Sequence, residues 1–248
     1  MSPFALYREP TLLENVEHRH LKLARLNDHS MAAGMHSSFL GAAEFALAAR
    51  DFAILFVRDS SASPGQIEPI VLLGVVPGEN LFVDGTRWDA RYVPAFIRRY
   101  PFSLARVEGR TEPAVMIDRS WAGFSETLGE PLYDDEGKAA PRLAEAVEFM
   151  TQFEVEVART FAFCKHLVEL DLLREMAAQV TLADGQTLGL DGLLAIDAAK
   201  LHALADAQVL EMHHNGMLSL VHAHLLSLAN MQALVERKAQ RLQRAAAH

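Results

Sequence analysis

The sequence predicts an α+β fold, with a mostly antiparallel sheet and packed helices followed by long amphipathic helices and a small β-hairpin. Three observations lead to this prediction. Short apolar runs at residues 53–57 and 70–76 are bounded by polar and turn residues, as buried strands are. From Pro141 onward, apolar side chains recur every three or four residues, which indicates an amphipathic helix. Asp184-Gly185 then separates two short runs with the two-residue turn that hairpins favour.

The first half of the chain predicts a sheet with helices packed on it. Ser37 or Ser38 can cap a helix that runs through Arg50, because serine is a favoured N-cap and helix-forming residues follow it. Two antiparallel hairpins are expected, one from residues 53–57 with 70–76 and one from 102–108 with 114–118. Shorter elements are expected as an edge strand at 21–23, a strand at 81–83 and a Pro-bounded helix at 93–100.

The second half predicts longer helices. One apolar stripe extends a helix from Pro141 to about Leu173, and its members are Val147, Met150, Phe153, Val157, Phe161, Cys164 and Val168. The elements expected next are a hairpin at 180–182 and 187–190, a third strand at 193–196 and a helix at 198–204. A last helical region at 206–243 is interrupted at Asn215-Gly216 and ends in a basic, solvated tail at 236–244. We expect one domain over residues 1–248, with a sheet-rich part at 1–138 and a helix-rich part at 139–248.

Composition and charge narrow the class of protein. With 248 residues, half of them hydrophobic, the chain is long enough to bury a sizeable core. Its 23 Lys and Arg residues against 32 Asp and Glu residues give a net charge of -9, which disfavours a general nucleic-acid binder because that function needs a basic face. Cys164 is the single cysteine, so no intramolecular disulfide can form, which suits a reducing cytoplasm.

The sequence predicts neither secretion nor insertion into a membrane. Residues 1–25 lack the continuous apolar core of a secretory signal. The apolar stretch at 218–228 is shorter than the ~18 residues of a spanning helix, and two histidines interrupt it. We therefore expect a soluble, cytoplasmic protein without a membrane span.

Residues 88–102 concentrate aromatic side chains and arginines in an otherwise aliphatic, acidic chain. Arginine makes bidentate contacts with carboxylates and phosphates and stacks on rings, so this segment predicts a binding site for an anionic or planar ligand. The candidate residues are Trp88, Tyr92, Arg98, Arg99 and Tyr100. The alternative is structural: the rings would wedge a short helix against the sheet, and the arginines would pair with Asp84, Asp89 or Glu79.

The eleven histidines do not predict a metal site. No two of them are four residues apart, the spacing of a helical zinc pair, and His222 and His224 would point about 200° apart on one helix. His224 is expected in a buried polar position near Ser227 or Asn230, and these three residues are the ligand-site candidates from the last helical region. Phosphate-loop and nucleophile-elbow motifs are both missing, and Cys164 is expected to be an inert core thiol.

Several stretches carry a resemblance to a known family. They lie at 72–74, 78–82, 88–89, 92–102, 129–134, 160–161, 190–192, 197, 200–201 and 223–230. In sequence and spacing they resemble the SapC family of bacterial proteins over nearly the whole chain. The resemblance implies a link, through the family's name, to bacterial surface arrays. Some members are labelled peptide-transporter permeases, a role that the missing spanning segment argues against for this chain.

The resemblance also implies a pathway, because members are genomic neighbours of flavin-dependent halogenase-like, cupin-like and outer-membrane receptor proteins. It supplies neither catalytic residues nor a cofactor. The leading hypothesis is a non-enzymatic accessory protein that binds a small anionic or aromatic metabolite or a protein partner, such as a halogenase-pathway protein. The alternatives are an enzyme acting beside a flavin-dependent halogenase or oxygenase, and a structural partner in a surface layer or envelope. The apolar stripes are expected to form the core, with a homodimer seam as the alternative.

Overall fold

The computed structural model describes residues 6–24, 26–58, 65–181 and 187–246. The strands are β1 (Pro10–Leu12), β2 (Lys22–Leu23), β3 (Ser37–Phe39), β4 (Ile54–Arg58), β5 (Ile67–Leu72), β6 (Val83–Asp84), β7 (Arg87–Trp88), β8 (Phe102–Ala105), β9 (Ala114–Asp118), β10 (Phe124–Ser125), β11 (Glu130–Pro131), β12 (Leu173–Thr181) and β13 (Thr187–Ile196). The helices are α1 (Phe45–Ala48), α2 (Ala95–Arg98), α3 (Pro141–Glu169), α4 (Ala198–His202), α5 (Asp206–His214), α6 (Met217–Ser227) and α7 (Asn230–Ala246). Two 3-10 turns lie at Ser30–Ala32 and Ala42–Glu44. The predicted α+β class is confirmed.

The central sheet has five antiparallel strands in the order β12-β13-β4-β5-β3. The hairpin predicted from two buried runs is confirmed, because β4 pairs with β5 and Leu55 lies opposite Ile70. β13 joins the free side of β4 through Leu193 and Leu194. Strands from both the sheet-rich and the helix-rich part of the chain therefore share one sheet and contribute to one large hydrophobic core.

The helix predicted from Ser37 to Arg50 is wrong over its first half. Ser37–Phe39 forms strand β3, in which Ser38 lies opposite Val71 of β5. The two serines are only 3% and 0% exposed, so they lie inside the sheet. Pairing with β5 outweighs the local preference of serine for a helix cap, because strand formation depends on tertiary contacts more than on propensity.

A smaller three-stranded sheet packs beside the first turns of α3. The second predicted hairpin is confirmed, since β8 pairs with β9, and β1 adds a strand on the other side of β9. Phe102 and Ile117 of this sheet pack with Leu143 and Met150 of α3 in a second core. These contacts hold the start of α3 close to the segment that follows α2.

The long helix predicted from Pro141 is confirmed, although it ends at Glu169 and not near Leu173. The predicted stripe is buried at Met150, Phe153 and Cys164. Val168 is 53% exposed, whereas its neighbour Leu167 is fully buried. A helix has 3.6 residues per turn, so a stripe drawn at alternating spacings of three and four drifts off the buried face.

β12 and β13 form one long hairpin, where the sequence predicted a short hairpin and a separate third strand. Leu173 lies opposite Ile196, so the end of the predicted helix pairs with the predicted third strand. Leu172 and Ile196 are 0% and 1% exposed, and burying this apolar end against the core favours pairing over further helix. The predicted Asp184-Gly185 turn lies outside the described residues.

The break predicted at Asn215-Gly216 separates α5 from α6, and Gly216 has a φ of 80°, a left-handed conformation that glycine adopts without strain. A second break at 228–229 separates α6 from α7. By length and composition alone, the stretch Met217–Ala246, which contains α6, this break and α7, is long and apolar enough to cross a membrane. The expectation of no membrane span stays a prediction.

Helix α7 is not the solvated basic tail that the sequence predicted. Arg237 donates to the Asp89 carboxylate at 2.8 Å. Arg241 donates to the backbone carbonyls of Asn80 and Val83 at 2.8 and 2.7 Å. The basic side chains of α7 are therefore used to fasten the last helix onto the segment before and around β6.

Candidate functional site

Glu44 anchors the arginine-aromatic segment to the core. The Glu44 residue is 7% exposed, and its Oε1 accepts hydrogen bonds from the Tyr92 hydroxyl and the Ala95 amide, both at 2.7 Å. Its Oε2 accepts a hydrogen bond from the Gly41 amide at 2.8 Å. Burial and the bond to Glu44 raise the pKa of Tyr92 to about 12, so the tyrosine hydroxyl remains a donor. Glu44 thereby fixes the first turn of α2.

Arg98, the last residue of α2, is held by a backbone carbonyl and by rings. Its Nε donates to the Val93 carbonyl at 3.0 Å, and a terminal nitrogen donates to the Tyr92 hydroxyl at 3.1 Å. The guanidinium carbon lies 5.5 Å from the centroid of the Tyr92 ring and 5.2 Å from that of Phe149 in α3. Cation–π contacts therefore connect α2 to α3 through Arg98.

Arg99 lies between two phenylalanine rings. Its guanidinium carbon is 4.1 Å from the centroid of Phe96 and 5.2 Å from that of Phe153. Its Nε is buried and has no hydrogen-bond partner in the described part of the chain. Burial raises the pKa of Tyr7, and the Arg99 charge beside that hydroxyl acts in the opposite direction. An unpaired buried donor costs about 1–3 kcal/mol, so the unpaired Arg99 Nε lowers the stability of the folded protein.

The acidic residues proposed as structural partners of these arginines are paired with other cations. The pairs are Lys238–Glu79 at 2.7 Å, Arg237–Asp89 at 2.8 Å and Arg87–Asp84 at 4.0 Å. The interpretation that Arg98 and Arg99 are neutralised by these carboxylates is therefore wrong. For Asp89 and Glu79 the physical reason is that α7 lies across this segment and supplies Arg237 and Lys238, which the sequence pattern placed in solvent. Asp84 instead pairs with Arg87 of the neighbouring strand β7.

Arg98 and Arg99 line a cleft of about 570 Å³ between α2, the first turns of α3 and the loop before the first 3-10 turn. Arg142 of α3 adds a third cation, while Asp28 and Glu145 add two carboxylates. The ring-bearing residues of the lining are His29, Tyr100, Phe102, Trp121 and Phe149. This volume lies in the usual range of small-molecule sites. We term it the cationic cleft.

His29 brings a second unpaired polar atom to the cationic cleft. Its Nδ1 is buried and has no hydrogen-bond partner in the described structure. Burial lowers the pKa of His29, against opposing effects of the Thr86 backbone and the Asp28 carboxylate. The imidazole is therefore mostly neutral at pH 7, and its Nδ1 can donate or accept a hydrogen bond according to the tautomer.

Trp121 forms one wall of the cationic cleft. Its ring is nearly perpendicular to the rings of Tyr100 and Phe124, with centroid distances of 6.2 and 5.3 Å. Gly123 makes this position available, since a Cβ atom there would lie 2.2 Å from the Trp121 ring. The absence of a side chain at position 123 therefore lets the indole lie against the backbone two residues further on.

Tyr100, another wall residue, is held by Asp118. The Tyr100 hydroxyl donates to Asp118 Oδ2 at 2.9 Å, and the fully buried carboxylate also accepts the amides of Arg8, Glu9 and Ser120. Burial acts to raise the pKa of Asp118, but these hydrogen bonds outweigh it and hold the pKa below its usual value. Burial and the bond to Asp118 raise the pKa of Tyr100, so this phenol stays protonated and acts as a hydrogen-bond donor.

Trp88 and Tyr92, two of the predicted site residues, are not among the lining residues of the cationic cleft. Trp88 Nε1 donates to the Tyr92 carbonyl at 2.8 Å. The Trp88 ring packs against Phe52 and Phe82, with centroid distances of 6.2 and 6.4 Å. These two residues thus pack the segment against the core, whereas Arg98, Arg99 and Tyr100 line the cleft.

His224, Ser227 and Asn230 attach the last two helices to the central sheet and α1. His224 Nε2 accepts the Ile196 amide at 3.0 Å, and the Ser227 hydroxyl accepts the Ile54 amide at 3.0 Å. Asn230 donates to two backbone carbonyls that follow α1, at 2.8 and 2.9 Å. Burial lowers the pKa of His224 to about 4, so the ring is neutral. None of these three residues lines the cationic cleft.

The part of the chain that the structure describes contains no group of three His, Cys, Asp or Glu side chains placed to hold a metal ion. Cys164 is buried, and burial raises the pKa of its thiol to about 12. A thiol that stays protonated is a poor nucleophile, in agreement with the inert core thiol expected from the sequence.

The cleft residues that sequence reasoning missed include His29, Arg142, Trp121 and Phe149. They come from three separate segments, and only Arg142 and Phe149, seven residues apart on α3, are connected by a helical spacing. One compositional signal was present, because Trp121 is one of only two tryptophans.

The fold and the site together define an α+β protein with a cationic cleft beside its long helix. The SapC family model matches residues 13–234 of the 248-residue chain, and the chain belongs to the SapC family. A search of curated proteins found no significant match, and a search of solved structures found none either.

Proposed function

We propose that this SapC-family protein is a binding or accessory protein that holds a small anionic ligand in the cationic cleft. One observation supports this most strongly. Three buried side-chain polar atoms in the described structure have no hydrogen-bond partner, and two of them, Arg99 Nε and His29 Nδ1, belong to residues that line this cleft, whereas the third, His224 Nδ1, does not. Buried polar groups are nearly always paired in folded proteins, so two unpaired ones in the residues of one cavity support a ligand there.

The charge of the cleft also favours an anion. Its lining holds three arginines against two carboxylates, in a chain with a net charge of -9. Glu145 is 3.3 Å from Arg142, while Arg98 and Arg99 form no ion pair with another described residue and have aromatic rings as neighbours. Arg99 is half-buried beside two rings, whereas Arg98 is exposed. The Arg99 guanidinium therefore keeps its charge with less hydration and attracts an anion more strongly than a solvated arginine does.

Binding is better supported than catalysis. The alternative hypothesis is an enzyme that acts beside a halogenase or oxygenase. Its active site was expected to combine the arginines with His224, Ser227 and Asn230. His224 Nε2, the Ser227 hydroxyl and the Asn230 amide nitrogen instead bind backbone groups of the central sheet and of the residues that follow α1. Tyr100, the phenol in the cleft, has a raised pKa and donates to Asp118. These contacts favour a site that holds a molecule without transforming it.

The test is anion binding by the full chain and by Arg99→Gln. The probes are acetate, benzoate and inorganic phosphate, measured by isothermal calorimetry and by the shift in melting temperature. At least one probe is expected to bind and stabilise the wild type, and Arg99→Gln is expected to lose that effect. Arg142→Gln, on the exposed first turn of α3, should weaken binding without a large change in stability.

Arg87→Gln is the matched control, because Arg87 is an arginine with a 69% exposed side chain that does not line the cleft. It should bind the probe as the wild type does. If none of the three anions binds, or if all three variants bind like the wild type, the proposed function is wrong.

A further inference from the structure

We infer that the ligand of the cationic cleft is a planar aromatic monocarboxylate, with its carboxylate at the arginines and its ring between the aromatic walls. This inference rests on the proposed function and narrows the class of ligand. The cleft is inferred to bind aromatic acids in preference to phosphates, dicarboxylates and aliphatic acids. Three arginines alone would not distinguish between these classes of anion.

The walls of the cleft are suited to a flat ring. Trp121, Tyr100 and Phe149 are all half-buried and all line it, and they come from three different segments of the chain. Aromatic pairs in stacked or edge-to-face arrangements gain about 0.5–1.5 kcal/mol beyond the area they bury. A flat ring can use these faces and edges, whereas a saturated ring of the same size gains only the buried area.

The aromatic walls are also fixed in place before a ligand arrives. Trp121 is positioned by Tyr100, by Phe124 and by the bare backbone of Gly123. Tyr100 is tied to Asp118 through its hydroxyl. Little side-chain freedom remains to be lost on binding, and a preorganised wall therefore favours a rigid, planar molecule.

The charges of the cleft are suited to a single negative charge. Three arginines and two carboxylates, with a neutral His29, leave an excess of one positive charge in the lining. A carboxylate matches this excess and can pair with the guanidinium groups of the residues that line the cleft. A second negative charge on the ligand would lie near Asp28 or Glu145 and be repelled.

The experiment compares benzoate with cyclohexanecarboxylate, which has the same charge and a similar size but no aromatic ring. Inorganic phosphate and succinate serve as dianionic probes, and all four are titrated into the full chain by calorimetry. Benzoate is expected to bind about 3- to 10-fold more tightly than cyclohexanecarboxylate, the range that aromatic contacts provide. Both dianions should bind more weakly than benzoate.

Trp121→Leu and Phe149→Leu test the walls separately. In each variant the ratio of the dissociation constants of cyclohexanecarboxylate and benzoate should fall toward one. The affinity for cyclohexanecarboxylate should stay the same, because the arginines are unchanged. Phe161→Leu is the control for a lost aromatic contact, the one with Phe39, outside the cleft lining and should keep the preference. Two wall variants keep the test decisive if one of them fails to fold.

The inference is overturned if cyclohexanecarboxylate binds as tightly as benzoate, or if phosphate or succinate binds more tightly. In either case binding that depends on Arg99 would leave the proposed function intact. If no anion binds to the cleft at all, the proposed function and the inference both fail.

Discussion

The guanidinium carbon of Arg99 lies 4.1 Å from the ring centroid of Phe96, on the three-residue spacing that brings side chains together at the end of α2. Phe153 of α3 lies on the same cation at 5.2 Å. Rings remove water from the guanidinium without neutralising it, so its charge stays available to an anion in the cleft. A lysine at position 99 would keep the charge but lose the stacking, and Arg→Lys is not a conservative change there.

Glu44→Ala is expected to lower the free energy of unfolding by at least about 3 kcal/mol, because it leaves the Tyr92 hydroxyl and the Ala95 and Gly41 amides without their acceptor. Urea unfolding followed by circular dichroism measures the loss. Glu148→Ala, at an exposed position on α3, should change stability by less than about 0.5 kcal/mol. Equal effects of the two substitutions would contradict the anchoring role of Glu44.

Gly123→Ala is expected to displace Trp121, since the new Cβ would lie 2.2 Å from its ring. The displacement should shift the tryptophan fluorescence maximum and weaken benzoate binding. Gly34→Ala is the matched control, because the nearest atom to its added Cβ is 3.9 Å away. An unchanged emission spectrum in Gly123→Ala would show that the indole is not fixed by the glycine.

His224 should make the protein less stable in mild acid. Its pKa is about 4 when folded and about 6.5 when unfolded, so between these values the unfolded chain binds a proton that the folded chain does not. The contribution of the neutral ring to the free energy of unfolding is fully present above pH 6.5. It decreases as the pH falls toward 4, by up to about 3 kcal/mol in total. The measurement is the urea unfolding free energy at pH 7.5, 5.5 and 4.5.

His224→Gln should flatten this dependence, because an amide oxygen can still accept the Ile196 amide but does not titrate in this range. His222→Gln, at an exposed position on the same helix, should leave the slope of the wild type unchanged. Parallel curves for all three proteins would refute the assignment to His224.

We expect the protein in the soluble fraction without detergent, even though Met217–Ala246 is long and apolar enough to span a membrane. His224 and Ser227 of α6 bind amides of the central sheet, and extracting the helix into lipid would leave those amides without acceptors. The measurement is the distribution between supernatant and membrane pellet after lysis, followed by a high-salt wash. Retention in the washed pellet, with release only by detergent, would contradict a core role for α6.

The elements that local pattern determines were predictable from the sequence. β4 and β5 are short apolar runs between turns, and α3 carries a long apolar stripe that begins at Pro141. The spacing of the apolar residues, together with the turn residues and the proline that bound each element, was sufficient to predict all three. β3 was not predictable in this way. Its Ser37 and Ser38 are good capping residues, and only the presence of β5 beside them selects the strand.

The site was predictable only where it is local. Arg98, Arg99 and Tyr100 were found because they are neighbours in an unusual segment, and they line the cleft together. Arg142 and His29 lie far from that segment along the chain and reach the cleft through the packing of α3 and of the loop before the first 3-10 turn. Which acidic groups the arginines meet depended on α7, whose contacts with β6 no pattern in the sequence reveals.

The pairing of Leu194 with Phe56 sets the order in which this chain can mature during synthesis. While the ribosome has released only the first half, β4 has an open edge and lacks the strand that closes it. A nascent chain stalled before β13 would therefore present an unpaired strand edge to its neighbours, the kind of surface on which chaperones act.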